Sequence, residues 1–260
     1  MIVNTRRLFA QLLPVMQISA VCDVGSMNGA DALMFRDVLK QASIYAFEPN
    51  PENFRLMQAD PALRQHNIRL VPFAATNYDG DAEFFLVKAD YSSHHARRGM
   101  SSLYRRSEGA ELSAVIDVRT TRLDTFLADE TPHDARLALW IDTEGKAYEA
   151  IEGAIGVAAQ VQLLHVEVET SPCIGSNQKL YPEVKALLRE IGFVELATDQ
   201  ARTQIQFNAL FVRSELPAGL RLRVKTWLAL ARLRRCVGYA IHKICPGCIG
   251  RLRIAASRYR

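Results

Sequence analysis

Cysteine is scarce in this chain, with five residues in 260. That is too few for a disulfide framework and points to a reducing compartment, so the chain reads as cytoplasmic. Long apolar runs are lacking too. Arg6 and Arg7 are followed by no apolar stretch long enough for a secretory signal or a membrane span. No repeat of fixed period and no low-complexity segment is present. The composition, 49% hydrophobic and 23% charged, excludes a mainly disordered chain. The G-x-G-x-x-G fingerprint is also missing, which makes a nicotinamide-dependent oxidoreductase a distant reading.

One further absence is local: no acidic residue follows Glu215. The formal net charge of +4 therefore hides two parts. Residues 1–215 hold 21 basic and 28 acidic groups, a net of −7, while residues 216–260 carry +11. Such asymmetry predicts two units: a mildly acidic binding or catalytic domain over 1–215, and a basic appendage for an anionic surface over 216–260.

What is present is an alternation of strand-like and helix-like runs. Residues 18–23 are apolar and partly β-branched, and Gly25 ends the run. Helical spacing follows over 30–41, then a strand over 44–47, then a helix opened by Pro51 and running to about 60. A third strand is expected over 68–74. The middle breaks the rhythm: a turn at Tyr78-Asp79-Gly80, strands over 82–87 and 115–121, and an irregular polar stretch over 88–114 that reads as an active-site loop. The alternation resumes with a strand at 137–141, a helix at 147–155, a strand at 161–168 and a helix at 181–191. A closing antiparallel pair is expected at 193–197 and 205–212. The pattern predicts an α/β fold, a mostly parallel sheet with helices on both faces.

The first strand ends in Asp23-Val24-Gly25-Ser26-Met27-Asn28-Gly29-Ala30. A glycine at that end lets a ligand approach the backbone, and the next helix offers unpaired N–H groups. Glu48 lies 23 residues after Gly25, at the end of the second strand, where a carboxylate can accept both ribose hydroxyls of a nucleoside. Alone, either feature is also what a tight turn or a solvated strand end would show.

Together with Phe47-Glu48-Pro49-Asn50-Pro51-Glu52-Asn53-Phe54, the Asp23-x-Gly25-x-x-x-Gly29 motif resembles the FkbM family of S-adenosylmethionine-dependent methyltransferases. Further similar segments follow in order: Thr121-Arg122-Leu123-Asp124, Ile141-Asp142-Thr143-Glu144-Gly145, the helix around 150–154, and His165-Val166-Glu167-Val168-Glu169. The resemblance spans about 20–213. Ser26 stands where alanine is usual, and Trp140 where lysine is usual. The resemblance implies a class I methyltransferase fold, Rossmann-like, with a seven-stranded sheet whose last pair includes an antiparallel strand. It also implies S-adenosylmethionine as cofactor. Asp23, Gly25, Ser26, Asn28 and Gly29 would then lie along its methionine part. Glu48 would hold the ribose with Asn50 beside it, and Ala74 and Ala75 would lie near the adenine.

Methyl transfer to a hydroxyl gains from a base or a cation near the attacking oxygen. By location the candidates are Asp142 and Glu144, at the carboxyl end of a central strand, with Asp142 favoured for orienting the cofactor amine or the acceptor and Glu144 as the base, and His94 in the irregular loop. Asp142 and Glu144 would equally suit a helix cap and its first turn, and His94 a solvated loop. Glu167 and Glu169 share a strand face, where they would receive acceptor hydroxyls or equally be capped at the strand end; a D-x-E pair could bind a divalent cation, but with no third ligand evident no metal is expected. The acceptor implied is a small molecule or glycan-like hydroxyl. A cofactor-binding protein of this fold without catalysis, held at a membrane, is the alternative.

Over 220–237 the tail reads as a basic, apolar helix carrying Trp227, which fits an anionic membrane surface, with a helix packed on the domain as the competing reading. Peripheral membrane attachment is thus expected, and nucleic acid is not, because aromatic interleaving is sparse and no module appears. Cys245-Pro246-Gly247-Cys248 invites a zinc reading with Cys236 and His242, but at an unusual spacing; palmitoylation carries similar weight.

Overall fold

The computed structural model describes residues 4–88, 96–106, 111–201, 204–216, 218–220, 222–224 and 226. The chain divides into two units, Met1–Glu215 and Leu216–Arg260. His94, Cys236, His242, Cys245, Cys248 and most of the tail lie outside the described residues. The zinc, palmitoylation and membrane-surface expectations concern that part of the chain. Among the described residues no helix is long and apolar enough to cross a membrane.

The first unit opens with α1 (Thr5–Val15), capped by the Asn4 side chain, which accepts the Arg7 N–H at 2.7 Å. Then come β1 (Ala20–Val24), α2 (Ala30–Val38), β2 (Ser43–Phe47), α3 (Pro51–Ala59), α4 (Pro61–Gln65) and β3 (Arg69–Val71). The middle holds β4 (Ala74–Ala75), β5 (Gly80–Val87), β6 (Leu112–Thr121) and α5 (Leu123–Glu130). The chain continues with β7 (Leu137–Ile141), α6 (Ala147–Glu152), β8 (Val161–Glu169), α7 (Tyr181–Glu190), β9 (Phe193–Thr198) and β10 (Gln206–Arg213).

Seven strands form the main sheet in the order β3-β2-β1-β7-β8-β10-β9. Its neighbours are parallel except β10, which runs antiparallel to both β8 and β9. This is the class I methyltransferase sheet that the resemblance implies. The central strands β1 and β7 are buried along their whole length, as befits a sheet covered on both faces. One face packs Leu123, Leu127, Ile151 and Leu188 of α5, α6 and α7 onto Phe47, Ile141 and Phe211. The other packs Phe9 of α1 and Phe35 of α2 against Trp140 and His165.

Three departures from the expected elements have local causes. The strand expected over 68–74 is split at Pro72, which has no N–H to give to a ladder. Residues 69–71 stay in the main sheet, and Ala74–Ala75 joins a separate three-stranded sheet, β4-β6-β5. The helix expected over 30–41 stops at Val38, where the Arg36 guanidinium hydrogen-bonds the carbonyls of Leu39 and Lys40. The helix expected over 147–155 stops at Glu152 because Gly153 lies against the backbone of Thr76. A Cβ there would sit 2.0 Å from the Thr76 carbonyl oxygen.

Trp140 and His165 are register partners on adjacent parallel strands, and their rings stack at 3.6 Å. His165 is buried, and its Nε2 lies 3.1 Å from Thr5 Oγ1, whose hydroxyl donates to Asp199. The ring therefore carries its proton on Nε2 and is neutral. Burial lowers its pKa to about 3. A folded-state pKa below the unfolded value stabilises above about pH 6.5, and that contribution is lost as pH falls towards 3. Thermal melts between pH 7 and pH 4 should thus show a shallower loss of Tm for His165→Phe than for the wild type. An equal or steeper loss in the variant would contradict a buried neutral imidazole.

Candidate active site

The site follows from strand register. Val24 stands opposite Phe47 on one side and Ile141 on the other, and Ile141 opposite Val166. The next residues of the four strands, Gly25, Glu48, Asp142 and Glu167, therefore reach the carboxyl edge of the sheet side by side. In an open α/β sheet that edge is where ligands bind.

Gly25 has φ +86°, and a Cβ on it would lie 1.8 Å from the Asp142 carbonyl oxygen, so the two loops meet backbone to backbone. The N–H groups of Gly25 and Ser26 donate to the Phe47 carbonyl at 3.1 and 2.9 Å. Met27, in the left-handed region at φ 54°, gives its N–H to Glu48 Oε2 at 2.7 Å. The Asn50 N–H donates to Glu48 Oε1 at 2.8 Å. Both carboxylate oxygens are thus anchored by backbone, and each keeps acceptor capacity. Burial pushes the Glu48 carboxyl up to about 7, against the hydrogen bonds from Asn50, Met27 and Asn53 and the charge of Arg98.

A cavity of about 270 Å³ opens at this edge. Of the residues singled out from sequence, Gly25, Ser26, Asn28, Glu48, Ala74, Ala75, Asp142 and Glu144 line it. Three others stand behind the wall. Asp23 is buried, accepts the Ser26 hydroxyl at 2.6 Å, and is pushed up to about 8, chiefly by burial and then by Asp31. Gly29, at φ +77°, precedes α2 and lies so close to Leu63 that a Cβ would come within 2.6 Å of its methyl carbon. Asn50 caps α3, its side chain accepting the Glu52 N–H at 3.0 Å, and its backbone N–H holds Glu48, which lines the cavity.

The structure adds walls that sequence reading had not singled out. Phe73 and Phe84 supply apolar surface; Asp31, Asn53, Arg98, Ser101, Ser102 and Lys146 supply polar groups. The stretch expected to be an active-site loop contributes Arg98, Gly99, Ser101, Ser102 and Leu103. Arg98 and Asn53 hold each other through paired hydrogen bonds of 3.1 Å. Ser102 pairs its backbone with Phe85 of β5 and donates its hydroxyl to the Glu144 carbonyl at 2.7 Å.

Glu167, which sequence left divided between a binding and a capping role, lines the cavity beside Asp142. The two carboxyl groups are hydrogen-bonded, so one carries a proton. Both are held above the usual carboxylate range, Asp142 by burial, Glu167 by burial and then by the charges of Asp142 and Glu144. Gln206 donates to Glu167 at 2.7 Å. Glu144, at φ 33°, makes an ion pair with Arg106. Burial pushes its carboxyl up, and Arg106 opposes that shift. Trp140 is packed in the core between Phe9, Phe35 and His165, so the lysine usual there would not have reached this cavity. Among the described residues no group of three His, Cys, Asp or Glu side chains is placed to hold a metal ion.

A model of the methyltransferase FkbM domain matches residues 23–195. The 2-O-methyltransferase NoeI of Sinorhizobium fredii is 24% identical over 172 residues, which cover 62% of this chain and 65% of that protein. The match thus spans less than two thirds of that relative's length. Among solved structures, magnesium protoporphyrin IX methyltransferase of Synechocystis with bound SAH has 10% identity and a TM-score of 0.43, over 81% of this chain and 82% of that one. An rRNA methylase of Streptococcus thermophilus has 12% identity and a TM-score of 0.44, over 83% and 99%.

The raised carboxyls set a pH dependence of stability. The folded protein holds protons that the unfolded chain releases near pH 4, so stability falls as pH rises from there through about 7 for Glu48 and about 8 for Asp23. Melts of the ligand-free protein should show Tm falling between pH 6 and pH 9, and falling less in Glu167→Gln, which keeps the hydrogen bond without the titration. An identical fall in both proteins would contradict the protonated pair.

Proposed function

The chain belongs to the FkbM methyltransferase family, and we propose that it transfers the methyl group of S-adenosylmethionine to a hydroxyl of a sugar or glycan-like acceptor. One juxtaposition carries the reading. A backbone-anchored buried carboxylate, Glu48, and a carboxyl pair, Asp142 and Glu167, wall the same cavity. The oxygen acceptor is supported by the matching relative, whose name describes a 2-O-methyltransferase.

The residues present fit this cofactor. Glu48 keeps lone pairs for two ribose hydroxyls. Phe73, Ala74 and Ala75 offer flat apolar wall to a purine. Asp31, Glu48, Asp142, Glu144 and Glu167 outnumber Arg98 and Lys146 on the walls, which favours a ligand bearing sulfonium and ammonium charges. When bound, S-adenosylmethionine supplies an electrophilic methyl carbon whose leaving group is a neutral thioether.

The protein then has to position an acceptor oxygen and take its proton. Asp142 is the base in this reading. Glu167 holds the pair's proton and donates it in a hydrogen bond, which leaves the Asp142 oxygen free to receive the hydroxyl proton as the new C–O bond forms. Glu144 is less apt as base, because the Arg106 guanidinium occupies it; it orients the acceptor, with Arg106 beside it as a fixed positive charge. Trp140 is in the core, so the missing lysine subtracts nothing from this chemistry.

Transfer of labelled methyl from S-adenosylmethionine to a panel of methyl glycosides and free oligosaccharides tests the reading. Turnover should rise with pH as Asp142 loses its proton, above the ordinary carboxylate range. Asp142→Asn should lower kcat by about 100-fold or more while leaving cofactor affinity within a few-fold. Full turnover by both Asp142→Asn and Glu144→Gln would overturn these roles.

A further inference from the structure

We propose that a groove beside the cofactor cavity is the acceptor subsite, and that it takes a single pyranose-like ring of a glycan. The inference rests on the methyltransferase reading above, and it adds where the acceptor sits and what selects it.

The groove encloses about 440 Å³ and is walled by Asn77, Tyr78, Glu83 and Phe85 on one side and by Lys146 and Glu149 on the other. Leu103 and Lys146 line both this groove and the cofactor cavity, so the two spaces adjoin. The wall on the first side comes from the small sheet β4-β6-β5 and its turn. That sheet has its own apolar cluster, Ala74, Phe84 and Val118, separate from the main core. Its strand β5 serves both spaces by alternation, with Phe84 on the cofactor cavity and its neighbours Glu83 and Phe85 on the groove.

The chemistry of the walls narrows the ligand. Tyr78 is 45% exposed and Phe85 is half-buried, which gives the groove aromatic surface for the apolar C–H face of a sugar ring. Asn77 can donate and accept, Glu83 and Glu149 accept, and Lys146 donates. Hydroxyl groups, each both donor and acceptor, suit that mixture, and a site built to bond hydroxyls rejects analogues without them. Two carboxylates against one ammonium disfavour a phosphorylated or acidic acceptor. A wholly apolar acceptor would strip water from Glu83 and from the remaining donors of Lys146 without replacing it.

Lys146 stands at the junction and is fixed there. Its Nζ lies 3.9 Å from the centre of the Tyr104 ring and donates to Glu149 Oε1 at 2.7 Å. The Tyr104 hydroxyl holds the same Glu149 oxygen at 3.1 Å. An ammonium has three donors, so Lys146 keeps capacity for an acceptor oxygen at the boundary between groove and cavity.

The test uses the full chain saturated with S-adenosylhomocysteine and four probes: the methyl glycosides of mannose, fucose, glucose and N-acetylglucosamine. Saturation-transfer NMR reads glycoside binding, and calorimetry reads S-adenosylhomocysteine binding separately. At least one glycoside should bind the wild type. Tyr78→Ala and Glu83→Gln, both at exposed positions, should weaken that glycoside at least tenfold while S-adenosylhomocysteine affinity stays within twofold. Undiminished glycoside binding by both variants, or no binding of any of the four to the loaded wild type, would overturn the subsite. Failure of S-adenosylhomocysteine itself to bind would overturn the methyltransferase reading, and the subsite with it.

Discussion

The structure turns on the two hydrogen bonds that backbone N–H groups of Met27 and Asn50 give to the Glu48 carboxylate. They tie the turn after β1 to the start of α3 across the ends of two parallel strands. Without them a buried carboxylate would face a desolvation cost of several kcal/mol. With them it stays near a pKa of about 7. The same anchoring fixes which oxygen lone pairs face the cavity. In the proposed function a binding group and a structural clamp are thus one side chain.

The neighbouring carboxylates obey the same logic with different partners. Asp23 is satisfied by the Ser26 hydroxyl, Glu144 by Arg106, and Glu169 by the amides of Gln178 and Gln206. Asp142 and Glu167 are satisfied by each other, which requires a shared proton. Concentrating so many acids at one sheet edge is unfavourable for the empty fold. In the proposed function a positively charged ligand offsets that cost, and perturbed carboxyls of this kind cluster at functional sites.

How far the site could be read in the sequence depended on distance along the chain. Gly25 and Glu48 were legible because a strand end, its turn and the next strand end lie within one short βαβ unit. Asp142 and Glu144 were legible from the strand that precedes them. The pairing of Asp142 with Glu167 was not, because it depends on the register of β7 against β8 and no local pattern encodes it. The small sheet was half legible: its strands alternate visibly, but their detachment from the main sheet hangs on Pro72 and on pairing between residues 25 to 46 apart. Trp140 looked like a lost charge beside Asp142; its stacking on His165 shows instead a core position. The helix α1 was not read from the sequence, although Phe9, Leu12, Leu13 and Met16 recur at helical spacing on its buried face; Arg6, Arg7 and Pro14 lie on its exposed side.

The account stands most directly on Glu48. Calorimetric titration of the full chain with S-adenosylhomocysteine at pH 6 and pH 8 measures it. In the proposed reading an ionised Glu48 accepts ribose hydroxyls, so the wild type should bind more tightly at pH 8 than at pH 6, across the value of about 7. Glu48→Gln should bind at least tenfold more weakly at pH 8 and lose most of the pH dependence. Equal affinity of the two proteins at pH 8, or no binding by the wild type, would contradict the account.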